Sequence, residues 1–129
     1  MEALEIGLTE IPRDCALARD IRWALKTGRG LKSHTGARAA VDERFAGMHP
    51  VHTNNNACLT VFGLMIGGTD VTRVISEVVA MGMDNDCTAA TAGSIVGAVV
   101  GRNGVPAHWH RRFHDTVHSY LIGRPVFRI

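Results

Sequence analysis

Asp84 and Asp86 flank a single asparagine in the segment GMDNDCTAATAGSIVGAVVG, residues 82–101, and a helix of small residues is expected to begin at once behind them. Two carboxylates held this close repel each other unless a cation or a proton is shared between them. Oxygen donors suit Mg2+ or Mn2+, whereas Zn2+ would look for histidine or cysteine as well. The first turn of a helix adds free amide groups that orient carboxylates and can receive a phosphate. The plainer reading of a bare Asp-x-Asp pair makes Asp84 a turn former and Asp86 an N-cap, and in an arbitrary sequence it is the commoner one.

Other candidates carry weaker chemistry. His52 and the run Asn54, Asn55, Asn56 precede a strongly apolar segment. There, side-chain amides and free helix amides could bind a nucleotide or fix the acidic turn, with His52 and Asn55 as the candidates. The alternative is that Asn54 or Asn55 caps the helix and His52 packs in the loop. His110, His114 and His118 lie four apart with His108 nearby, a spacing that on a helix can hold Zn2+. Arg111 and Arg112 among them favour a solvent-facing stripe instead, with Trp109, Phe113, Val117 and Tyr120 as the apolar face. Cys15 and Cys58 have no adjacent base and read as packing residues.

Helical periodicity runs through most of the chain, so an all-α bundle is expected. Asp14 is a candidate N-cap for a helix bearing Leu17, Ile21, Ala24 and Leu25, ending at Gly28. A short helix is expected over about 37–45. The segment NNACLTVFGLMIGG is apolar on nearly every side, which suits a central helix, and Asp70 should cap the next one, TRVISEVVAM. In the helix after Asp86, Gly93, Gly97 and Gly101 recur every four residues, so a neighbour is expected to approach closely and this helix to lie in the middle. A last helix should start at Pro106 and continue through the histidines.

With 129 residues, 46% of them hydrophobic, the chain has room for one core, and a single domain over residues 1–129 is the default. A formal charge of +2 provides no field that would call for nucleic acid or an anionic membrane. Three scattered cysteines suit reduced thiols in a cytoplasm, and the N-terminal MEALEIGLTEIPRD lacks the layout of a secretory signal. The apolar run from Cys87 to Gly101 is shorter than a membrane span.

The longer string G-x-D-x-D-x-x-A-A-x-A-G resembles the C-terminal signature of the ADP-ribosylglycohydrolase family, usually written GGDTDTxAAxAG. The stretches VISEVVAMGMD, HTNNNACLTVFGL and ALEIGLTEIP extend the resemblance over nearly the whole chain. It implies an orthogonal helical bundle corresponding to the C-terminal part of that fold. It also implies Mg2+ or Mn2+ as cofactor, ADP-ribose or ADP-ribosylated substrates as ligands, and hydrolysis of an N- or O-glycosidic bond. By position, Asp84 and Asp86 would ligate metal, and Cys87 stands where many members have a metal-binding threonine. The thiol is a soft donor and a poor replacement, so Cys87 would leave that position to water. The Thr-Asp-Asp motif that the family's N-terminal part supplies is not found in these residues. The resemblance therefore implies an activity that needs the missing N-terminal half, from another chain or by assembly. The alternative is a non-catalytic structural or ADP-ribose-binding module, and faces left uncovered make a homo-oligomer an expectation.

Overall fold

The computed structural model of the chain describes residues 2–128. Helix α1 (Glu2–Gly7) leads through a 3-10 turn into α2 (Ala16–Gly28) and α3 (His34–Arg44). The bundle continues with α4 (Thr53–Gly67), α5 (Val71–Met81) and α6 (Asn85–Gly104). A single turn, α7 (Ala107–His110), then gives way to an antiparallel hairpin of β1 (Thr116–His118) and β2 (Val126–Arg128), with Val117 opposite Phe127. The fold is all-α apart from this hairpin, as expected from the periodicity.

Helix α4 is the centre. Ten of its fifteen residues are buried, which is why its apolar residues have no sidedness. On one side it closes a cluster with α2 and α3, where Leu59 and Phe62 are fully buried. Each such side chain contributes roughly 2–3 kcal/mol by leaving water. Trp23 packs edge-on between Phe45 and Phe62, with centroids at 5.8 and 5.5 Å, and Arg44 lies 4.7 Å over the Trp23 ring while paired with Asp20 at 2.8 Å. On the other side α5 and α6 share a second cluster of Val71, Val74, Val78, Ala92 and Val96.

The close approach predicted for α6 belongs instead to α4. A Cβ at Gly63 would lie 2.0 Å from Val78 Cγ2, and one at Gly67 would lie 2.6 and 2.7 Å from the Val74 backbone N and Cα. On α6 the spacing is ordinary: 3.5 Å to Ile75 from Gly93 and 4.0 Å to Val105 from Gly97. Nor does α6 lie in the middle. Thr88, Ala92 and Val96 form its one buried strip, while Ala90, Thr91, Ser94 and Ala98 are exposed, because α4 and α5 cover a single face. Gly101, at φ 68° and ψ 174°, breaks it three residues before its end.

The expected long last helix does not form. After α7 the chain makes a 3-10 turn, and His114 and Asp115 adopt left-handed backbone at φ 49° and 54°. The apolar stripe that would have held a helix finds no core: Phe113 is 63% exposed and Tyr120 fully exposed. Thr116, Val117, Val126 and Phe127, β-branched or aromatic, pair as strands instead. His110, His114 and His118 therefore do not share a helix face.

Two cap assignments and one helix start also shift. Cys15 rather than Asp14 caps α2, its Sγ accepting from Ala18 N. His52 rather than an asparagine caps α4. Helix α3 begins at His34, three residues early, because Glu77 of α5 accepts its amide at 2.6 Å. Asp70 caps α5 as expected, with Oδ1 accepting from Arg73 N at 2.9 Å.

Replacing Gly67 by alanine is expected to destabilise the chain by about 2 kcal/mol, since the clash is with backbone and cannot be relieved by a rotamer. Gly97→Ala, in open helical surroundings, is expected to stabilise by about 0.5 kcal/mol. Urea denaturation of both variants checks the pair; a Gly67→Ala midpoint at or above the parent's would contradict the tight α4–α5 contact.

Candidate metal site

The acidic turn is shaped before its carboxylates are considered. Gly82 and Met83 lie at φ 73° and 60°, left-handed backbone that a methionine adopts at a cost of roughly 1–2 kcal/mol. Such a turn persists where its flanks are held. Arg38 Nη1 donates to Met81 O at 2.8 Å, and its Nε is fixed in turn on Asp42. Asn85 Nδ2 donates to Val79 O at 3.3 Å. The Asp84 carbonyl accepts from both the amide and the hydroxyl of Thr88, each at 3.0 Å, which starts α6.

The Asp84, Asp86 and Cys87 side chains offer ligand atoms that all lie within 4.8 Å of one another. Asp84 is half-buried; Asp86 and Cys87 are exposed. Asp84 occupies the cap position of α6 without a side-chain capping bond, and Asp86 lies in the first turn, so neither carboxylate is consumed as a cap. The helix N-terminus favours their negative charge. A hydrogen bond to the Asp84 carboxylate, followed by the charges of Asp84 and Asp86, holds the Cys87 thiol above its ordinary range. Sulfur is a soft donor, so the donor set fits a hard divalent cation through its two carboxylates and not through Cys87.

The remaining candidates separate. His52 Nδ1 accepts from Asn54 N at 3.2 Å, which puts the ring proton on Nε2 of an exposed side chain. Asn55 is fully buried, donating to His49 O at 3.0 Å and accepting from Asn56 N at 2.8 Å. The asparagine that reaches the acidic turn is Asn56, whose Oδ1 accepts from Asp84 N at 3.2 Å. Neither Asn56 nor the strain at Met83 was singled out from the sequence. The signal for Asn56 is a polar side chain one turn inside an otherwise apolar helix, where it must find partners. Cys58, buried and bonded to Asp20 O, has its thiol pushed up to about 12 by burial, which removes it as a nucleophile. Among the described residues, no cluster of three His, Cys, Asp or Glu side chains includes the C-terminal histidines.

The sequence model of the ADP-ribosylglycohydrolase family matches residues 1–125. The chain belongs to that family, which is generally metal-dependent. No curated protein and no solved structure gave a match. Among the described residues, no helix is long and apolar enough to cross a membrane.

The signature GGDTDTxAAxAG has glycine where this chain has Met83, at the left-handed position. Met83→Gly is therefore expected to be more stable than Met83→Ala by about 1 kcal/mol, since both lose the side chain and only glycine sits there without strain. Equal urea midpoints for the two would mean that the turn is unstrained.

Proposed function

We propose that the chain holds Mg2+ or Mn2+ on Asp84 and Asp86 and serves hydrolysis of the N- or O-glycosidic bond of ADP-ribosylated substrates. The observation that carries this reading is two uncapped carboxylates converging at the start of α6, inside a match to the ADP-ribosylglycohydrolase family. A divalent ion bound there supplies Lewis acidity toward sugar hydroxyls and orients a water. The two carboxylates would bind the ion and, by neutralising its charge, lessen its repulsion of the positive charge that grows on a sugar as its glycosidic bond breaks. His52, with Nε2–H available, is the residue of the His52 and Asn55 pair that can donate to a bound substrate, while Asn55 supports the loop beneath it.

Two carboxylates fill a minority of the roughly six positions around such an ion, and Cys87 leaves its own to water. Full activity on this reading requires further ligands, from an N-terminal half carrying Thr-Asp-Asp or from assembly with another chain. The free thiols of Cys15, Cys58 and Cys87 suit a reducing, cytoplasmic setting. A second reading, a non-catalytic helical or ADP-ribose-binding module, is favoured by the exposure of Asp86 and Cys87 and by a thiol in the threonine's place.

Calorimetric titration with Mg2+ and Mn2+, with and without ADP-ribose, separates them. The hydrolase reading expects binding that ADP-ribose strengthens and that Asp84→Ala weakens by at least about tenfold, 1.4 kcal/mol. Binding of ADP-ribose that is indifferent to metal and to Asp84→Ala would favour the binding module. Absence of both would leave a helical module without the family's chemistry.

A further inference from the structure

We propose that Asn56 is a positioning residue for Asp84: a buried amide on the central helix that fixes the backbone from which the metal-binding carboxylate projects. Asn56 is 7% exposed, and every polar atom of its amide is engaged. Nδ2 donates to Pro50 O at 2.6 Å, to His52 O at 2.9 Å and to Asn55 Oδ1 at 3.0 Å. Oδ1 accepts from Asp84 N at 3.2 Å, across 28 residues of sequence. The amide thus cannot rotate without breaking its contacts to the 49–52 loop, and the orientation of Oδ1 is set before Asp84 arrives.

This matters because of the turn it holds. The left-handed pair Gly82 and Met83 immediately precedes Asp84, and Asp84 itself sits at φ −83° and ψ 58°, outside helical geometry. Arg38 holds the turn before the strained residue and Thr88 holds it after, but Arg38 is a partly exposed side chain and Thr88 acts on the carbonyl. The contact on the Asp84 amide comes from the most deeply buried helix of the bundle. Loss of the acceptor leaves that amide unpaired and allows the strained turn to relax, carrying Asp84 away from Asp86. Partners that orient ligands in this indirect way commonly alter metal affinity by 10- to 100-fold.

The proposal rests on the metal-binding reading above, and the experiment keeps the two apart. Mn2+ alone is titrated into the full chain, with free Mn2+ read by electron paramagnetic resonance, for the parent, Asp84→Ala, Asn56→Ala and Leu25→Ala. Leu25→Ala truncates the core on α2, away from the α4–α5–α6 contacts, and serves as a variant of lowered stability with the turn contact intact. The expected result is Mn2+ affinity about tenfold weaker in Asn56→Ala, with Leu25→Ala within about twofold of the parent. Equal affinity of Asn56→Ala and Leu25→Ala, with Asp84→Ala still defective, would overturn the positioning role and leave the metal site standing. A parent that binds no Mn2+ would overturn the metal site and the role together.

Amide hydrogen exchange on the parent covers the case in which Asn56→Ala does not fold. Asp84 N–H is expected to exchange at least tenfold more slowly than Asp86 N–H, which as a first-turn amide lacks an intrahelical acceptor. Equal exchange at the two would show that the Asn56 contact is not maintained and would sink the proposal.

Discussion

The arrangement depends on how closely α5 returns along α4. Gly67 meets Val74 and Gly63 meets Val78, each with no room for a Cβ, so the two helices run antiparallel in near-contact of their backbones. The connection is short: Gly68 at φ 62° turns the chain, Asp70 N donates to Gly67 O, and the Asp70 side chain caps α5. From that corner the pairing proceeds four residues at a time, one helical turn on each side. Continued past Val78 to the end of α5, it brings the acidic turn back to the first turn of α4, where Asn56 waits. The juxtaposition of Asn56 and Asp84 thus follows from two glycines, Gly63 and Gly67, further along α4.

The first turn of α4 carries an unusual load for a helix buried on every side. Asn55 and Asn56 are both in the interior, where an unpaired amide would cost on the order of 2 kcal/mol or more. They satisfy each other and the carbonyls of His49, Pro50 and His52, so the loop before the helix is folded onto its own N-terminus. No buried side-chain nitrogen or oxygen among the described residues is left without a partner. The polar network is therefore closed around the first turn of α4, and its outer edge is the half-buried Asp84.

What could be read from the sequence follows the range of the interactions involved. Local ones were legible: the all-round apolar character of α4, the Asp70 cap and the acidic turn with its carboxylate pair all lie within a few residues of their causes. Interactions across the fold were not. Glu77 extends α3 by capping it from 43 residues away, and Asn56 meets Asp84 from 28. The glycine repeat on α6 looked like a packing surface because spacing alone cannot say whether a neighbour is present to use it. The histidine-bearing segment failed as a helix for a related reason, since its apolar stripe had the right period and nothing to pack against.

The two carboxylates are consequently held with unequal firmness. Asp84 is fixed at its amide by α4 and at its carbonyl by Thr88, a residue that is itself buried in the α6 contact. Asp86 is exposed and has only the helix beneath it, so its position is as definite as the docking of α6. That docking is a single strip of Thr88, Ala92 and Val96, small or β-branched side chains that bury little area but admit few rotamers. Thr88 joins the two terms: its methyl-bearing side chain belongs to the strip while its hydroxyl closes the turn on Asp84. Whatever separates α6 from α5 must also pull on the Asp84 carbonyl, which couples the geometry of the carboxylate pair to helix packing rather than to the flexibility of an isolated surface turn.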